Sequence, residues 1–267
     1  MNTADAITAL GSEITVLAPG HVWLAGAGPG DPGLLTLHAL AGLKQADVVV
    51  HDALVDKRIL ALKAAHTRLE FAGKRGGKPS ASQADISKRL IELAQGGERV
   101  LRLKGGDPSV FGRGGEEALA LAAAGVPFRV IPGVTAGLAA LAAASIPATM
   151  RDINRALILA AGHGADEDEF DWEPLARTAQ PLVLYMVMHN LERVANALIR
   201  GGRDAKTPTA VIAGATTPAE RILISTLAEV AETVRGQRFE PPAIVVVGDI
   251  VNVRARLLAL TTAMKPQ

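Results

Sequence analysis

Two glycine-rich loops and one basic loop hold the residues best suited to chemistry. The first, Gly26-Ala27-Gly28-Pro29-Gly30-Asp31-Pro32-Gly33, contains the Gly28-x-Gly30-x-x-Gly33 spacing of a dinucleotide-binding turn. Asp52, at the end of the next apolar run, stands about where a ribose-binding acid belongs. The residues between the glycines resist a pyrophosphate. Such a turn works through free backbone N–H groups at a helix start. Pro29 and Pro32 each remove one, and Asp31 sets a carboxylate where the anion would sit. A neutral or cationic ligand suits this loop better than a nicotinamide dinucleotide. A tight strand-to-helix turn without ligand is the plain alternative.

The second loop runs from Lys104 through Gly105-Gly106-Asp107-Pro108-Ser109-Val110-Phe111-Gly112-Arg113-Gly114-Gly115 to Glu116 and Glu117. It follows a predicted strand and precedes a predicted helix, the place where open α/β sheets bind ligands. Its five glycines cost chain entropy, and a loop needing only a turn would use fewer. Asp107 suits a ribose hydroxyl or a cationic group. Arg113 and Glu116, three apart at a helix start, are neighbours. As a plain surface pair they would contribute under about 1 kcal/mol. The third loop, Gly73-Lys74-Arg75-Gly76-Gly77-Lys78-Pro79, is basic. With Lys104, Arg113, Arg151 and Arg155 it suggests a cleft for a substrate bearing several carboxylates or phosphates. A solvated basic loop is the plain alternative. His163 either lines a cleft or caps a turn.

Alternating elements must position these loops. Strands are expected at Val22–Ala25, Asp47–Val50, Leu69–Phe71, Arg99–Leu103 and Phe128–Ile131, separated by helical patterns. That alternation predicts parallel strands with right-handed crossovers. Asp31 with Pro32 reads as a helix start, followed by Leu34, Leu35, His38, Ala39 and Leu43 at helical spacing. Ser82 and Asp85 form a capping pair for a helix ending at Gly96-Gly97. Further on, strands are expected at Ala156–Ala161, Leu182–Val187, Ala210–Ala213 and Ala243–Val247. Helices lie between them, one capped by Thr226 with Glu229. The domain boundary is expected between Ser145 and Arg151, giving α/β domains over 20–147 and 151–267.

Composition narrows the classes. The chain has 267 residues, with 28 Lys plus Arg against 27 Asp plus Glu, a net charge of +1. That balance argues against a nucleic-acid coat or a polybasic membrane binder. Aromatic residues are 3%, too few for base-stacking platforms. There is no cysteine, so thiolate metal sites, disulfides and Cys nucleophiles are excluded. The six histidines are scattered, and no metal site is expected. Residues 1–19 lack a basic start, so no secretory leader is expected. Val130 to Met150 carries no charge and is long enough to span a bilayer, but its prolines and alanines read as a buried helix. A cytoplasmic protein is expected.

In combination these motifs resemble the uroporphyrinogen-III C-methyltransferases of the tetrapyrrole methylase family. The resemblance rests on residues 22–37, His51-Asp52-Ala53-Leu54-Val55, Gly73–Gly77, the run ending Gly114-Gly115-Glu116-Glu117, Pro132–Gly137 and Pro241–Gly248. It implies a class III methyltransferase with two α/β domains and an active-site cleft between them, acting as a homodimer. It implies methyl transfer from S-adenosylmethionine to C2 and C7 of uroporphyrinogen III, giving precorrin-2 for sirohaem, cobalamin or haem d1. An electron-rich pyrrole carbon would displace the sulfonium methyl in line, and the macrocycle would later lose a proton. By similarity the cofactor contacts Pro29, Gly105, Gly106, Asp107, Thr135, Ala136, Met186, Ala215 and Ala243. Arg113, Glu116 and Arg151 would serve substrate binding and proton handling. Glu116 or bound water is preferred as proton acceptor, because arginine, with a pKa above about 12, stays protonated and cannot take up a proton. A sister methylase acting on another tetrapyrrole is the alternative. Ser109, Met150 and Ala161 depart from the family pattern.

Overall fold

The computed structural model describes residues 15–72, 82–162 and 170–263. The basic loop at 73–79 and His163 lie outside them. Two compact units divide between Thr135 and Ala136.

The first unit is built on a sheet of five strands, β1 (Val22–Gly26), β2 (Val48–His51), β3 (Arg68–Phe71), β4 (Val100–Lys104) and β5 (Phe128–Ile131). Their order is β3-β2-β4-β1-β5, and every neighbouring pair is parallel. Both faces are apolar, as a sheet covered on both sides requires. Trp23, Ala25, Leu101 and Leu103 pack with Ala39 and Leu43 of α1 (Leu37–Gln45) and Ile59 of α2 (Lys57–Leu60). Val22, Leu24, Val48 and Val50 pack on the other face against Leu90 and Leu93 of α3 (Gln83–Gln95) and Leu121 of α4 (Gly114–Ala123). The crossover leaving β1 therefore lies on one face and the crossover leaving β4 on the other. The chain diverges between these adjacent strands, and such a point opens a crevice at the carboxyl edge.

The caps predicted in the first unit are present with one change. Ser82 and Asp85 form a reciprocal capping box. Asp31 accepts from the Gly33 N–H at 2.8 Å, but the turn it caps, Pro32–Leu34, is a single 3-10 turn. Leu35 is extended, so α1 begins only at Leu37, where Thr36 accepts from the Ala39 N–H.

The second unit holds β6 (Ile158–Ala161), β7 (Leu182–Tyr185), β8 (Pro208–Ala213), β9 (Arg221–Thr226) and β10 (Ala243–Val247), in the order β6-β7-β10-β8-β9. Only β6 and β7 run parallel. β10 is antiparallel to both neighbours, and β9 is antiparallel to β8. β9 was not anticipated, and it displaces the expected Thr226 cap. Thr226 ends the strand, its hydroxyl donates to the Glu229 carboxylate at 2.9 Å, and the next helix begins at Val230. Pairing with β8 decides this: β9 is an edge strand that buries only Leu223 on its way past.

The division also falls earlier than the expected break between Ser145 and Arg151. The helix α5 (Ala136–Ala143) packs against β7 and β10 of the second unit. Gly137 makes this approach possible. Its N–H donates to the Tyr185 hydroxyl at 2.9 Å, and a Cβ there would lie 2.3 Å from that oxygen. The uncharged stretch is thus the end of a strand, a turn and an eight-residue helix. At 1.5 Å per residue such a helix is about 12 Å long, far short of a bilayer. Among the described residues no helix is long and apolar enough to cross a membrane.

Candidate functional site

The carboxyl ends of β4, β1 and β5 lie side by side, so the loops that follow them meet. Gly28 and Gly106 exchange two backbone hydrogen bonds of 3.1 and 2.7 Å. Asp107 accepts from the Ser109 N–H at 2.7 Å through one carboxylate oxygen and from the Gly133 N–H at 3.0 Å through the other. It latches the loop after β4 to the loop after β5. Thr135 is buried, and Pro29 is half-buried beside the same edge. Pro29, Gly105, Gly106, Asp107 and Thr135, expected to contact one ligand, are therefore gathered by backbone contacts.

The glycines of the second loop have a different main use from the one expected. A Cβ on Gly105 would lie 2.7 Å from the Leu54 Cβ, and one on Gly114 would lie 2.4 Å from the Pro108 carbonyl. Gly112 is equally tight and Gly106 has φ +68, whereas a Cβ on Gly115 would meet nothing within 4 Å among the described residues. Close packing of loop on loop, rather than approach to a ligand, accounts for most of them.

Asp107→Asn offers one oxygen to two N–H donors and turns an amide N–H against the other. The expected cost is about 1–3 kcal/mol, read as a lower thermal midpoint. An unchanged midpoint would remove the latch from the argument.

Arg113 starts α4 with φ +58, and its Nε donates to a Glu116 carboxylate oxygen at 2.9 Å. Both side chains are more than half exposed. The guanidinium holds the Glu116 carboxyl below the usual glutamate range, helped by a backbone hydrogen bond. The pair lines an open groove of about 670 Å³ between α3 and α4, together with Gln83 and Ser87.

Lys104 is not the cleft cation that its position suggested. It is buried, and its Nζ lies 2.9 Å from a carboxylate oxygen of the fully buried Glu117. Arg102, also buried, reaches that same oxygen at 3.1 Å, and Gln83 donates to it at 3.0 Å. Burial pushes the Lys104 ammonium pKa down, and the neighbouring Arg102 adds to the shift. Arg102 and Lys104 are two apart on a strand and so share a face. That spacing was the available signal for this cluster, and reading Lys104 as a loop-end cation obscured it. Asp52 is also committed: it accepts from the Leu54 N–H at 3.0 Å and faces Arg102 at 3.9 Å. Asp31 already occupies the Gly33 N–H, and Pro29 and Pro32 offer none, so the first loop has fewer donors to give than a nicotinamide site needs.

In the second unit, antiparallel β10 brings its first residue beside the last residues of its neighbours. Ala243 pairs with Ala213 at the end of β8, and Val245 pairs with Leu184. Ala243, Met186 just past β7 and Ala215 just past β8 thus share one edge. Met186 has φ +53 and is 44% exposed. A non-glycine residue held in that region stores about 1–3 kcal/mol of strain, and such residues cluster at ligand sites. Arg151 and Arg155 are exposed, and Arg151 sits in a turn organised by Asn154. Ala136 starts α5. Among the described residues no group of three or more His, Asp or Glu side chains could hold a metal ion.

The family description Tetrapyrrole (Corrin/Porphyrin) Methylases matches residues 21–231. The chain belongs to that family. Among tetrapyrrole methylases, a protein of Sinorhizobium sp named uroporphyrinogen-III C-methyltransferase is 53% identical over 91% of this chain and 88% of its own length. Siroheme synthase 2 of Aeromonas hydrophila subsp. hydrophila is 46% identical over 89% of this chain, which spans only 50% of that relative. The crystal structure of uroporphyrin-III C-methyltransferase from Thermus thermophilus, complexed with S-adenyl homocysteine, has a TM-score of 0.77 at 41% identity. The match covers 87% of this chain and 99% of that one.

Proposed function

We propose that this tetrapyrrole methylase transfers methyl groups from S-adenosylmethionine to C2 and C7 of uroporphyrinogen III, giving precorrin-2. The observation that carries the reading is the first loop. It has a ligand-site backbone whose prolines and Asp31 carboxylate reject a pyrophosphate yet tolerate a sulfonium cation, in a chain 53% identical to a protein named for this reaction. The residues fit an adenosyl cation in a second way. Met186 is a strained, exposed apolar side chain suited to a flat ring, and Asp107 keeps free lone pairs beside the Gly105-Gly106 backbone. Pro29, Gly105, Gly106, Asp107 and Thr135 from the first unit, with Ala136, Met186, Ala215 and Ala243 from the second, would hold it. When bound, S-adenosylmethionine supplies an electrophilic methyl.

The protein's own contribution is alignment, which can supply roughly 7–11 kcal/mol in favourable cases. Arg113 and Arg151 bind substrate carboxylates. Glu116 accepts the proton that the macrocycle loses. Its lowered pKa leaves it ionised throughout the neutral range, so the acid limb of kcat lies below the usual glutamate range. Glu116→Gln should lower kcat about 100-fold or more while leaving S-adenosylhomocysteine affinity unchanged. Normal turnover in this variant would hand the role to bound water.

The deciding assay is anaerobic turnover of uroporphyrinogen III with labelled S-adenosylmethionine, scoring methyl groups per macrocycle. Two are expected. None on this substrate, with transfer to a later corrin intermediate, favours a sister methylase. Homodimeric assembly and cytoplasmic operation complete the proposal, and light scattering and cell fractionation test them.

A further inference from the structure

The end of the second sheet away from Met186 carries a cavity that the methyl-transfer reading does not use. β8 is six residues long, so its two ends are about 17 Å apart. The cavity measures about 520 Å³ and lies where β8 starts at Pro208 and where β10 has given way to Asp249. Its charged walls are Arg177, Arg203 and Lys206, with Asp204 and Asp249. The cations outnumber the carboxylates.

Arg203 is the unusual member. It is 8% exposed, and its Nη2 donates to the Gln180 carbonyl at 2.9 Å and to the Leu175 carbonyl at 3.4 Å. Its Nε has no hydrogen-bond partner among the described residues. Carbonyls offer partial charge only, and Arg203 forms no ion pair among the described residues. A buried guanidinium with no carboxylate within ion-pair distance is a costly arrangement, and burial draws its pKa down against a weaker pull from Asp249. Arg177 and Lys206, both exposed, stand at the same cavity. Asp204 does not neutralise them: one of its oxygens caps the Lys206 backbone N–H at 2.8 Å.

We propose that this cavity is a second ligand site, distinct from the Met186 edge, taking the carboxylate or phosphate group of a small anionic molecule. The anion supplies the ion-pair partner that Arg203 lacks, and the exposed Arg177 and Lys206 add to its countercharge.

Isothermal titration with inorganic phosphate and, separately, with citrate tests this on the intact chain at constant ionic strength. Saturable binding of at least one probe is expected. It should weaken at least tenfold in the Arg177→Ala/Lys206→Ala double variant, whose exposed positions leave folding undisturbed. The probe that binds more tightly identifies the chemistry, phosphate or carboxylate. No saturable heat with either probe overturns the proposal. So does unchanged affinity in the double variant, which would place the anion elsewhere.

Discussion

Replacing Glu117 with alanine lowers the stability of the first unit by about 3–5 kcal/mol. The carboxylate is fully buried and serves Arg102 and Lys104 together through one oxygen. Its removal leaves the buried Lys104 without its hydrogen-bonded carboxylate and Arg102 with only Asp52 at 3.9 Å. For a chain of this size the loss corresponds to roughly 6–20 °C in melting temperature. Lys104 offers partial relief. Burial already holds its pKa below the usual lysine range, and without Glu117 it falls further. A lysine whose folded pKa is depressed sheds its proton in the native state while the unfolded chain still holds it. Stability therefore rises with pH between the folded and unfolded pKa values. The variant should recover part of its loss on the alkaline side. Replacing Glu117, Lys104 and Arg102 together by apolar residues of similar volume should cost less than the single change. Urea unfolding across pH reads all three effects. A Glu117→Ala protein as stable as the parent would mean that the buried cluster contributes nothing.

Gly133→Ala should disable ligand binding with an effect of comparable size. A Cβ at this position would lie 2.3 Å from the Gly106 carbonyl oxygen and 2.8 Å from the Gly26 Cα. Both are backbone atoms, so no side chain can swing aside and the loops themselves must part. Overpacking of this kind costs about 1–3 kcal/mol, and rigid neighbours push it to the upper end. The displacement falls on Asp107, which the Gly133 N–H holds at 3.0 Å, and on Gly105-Gly106 beside it. A shift near 1 Å in a positioning loop can cost about 100-fold in rate. S-adenosylhomocysteine affinity and kcat/KM should both fall about that far. Gly115→Ala is the control. It meets nothing within 4 Å in the first turn of α4 and should be neutral or slightly stabilising. Equal affinity in the Gly133 variant and the parent would break the link between loop packing and binding.

The sequence by itself determined the first unit almost strand for strand. Its central strands are apolar runs and α3 carries the expected Ser82 cap, so there local pattern and final structure agree, whereas α1 starts at Thr36 rather than at Asp31. It also located the loops that matter, because glycine, proline and aspartate at a strand end are legible one segment at a time. The tertiary structure alone decided what those residues touch. The reason is range. Arg102 and Lys104 find Glu117 only after α4 folds back onto β4, and Gly26, Gly106 and Gly133 meet only when three strands lie side by side. The same holds for the second sheet. β9 depends on an antiparallel partner rather than on its own pattern, and the first residue of β10 reaches the Met186 edge only because that strand runs backwards between its neighbours.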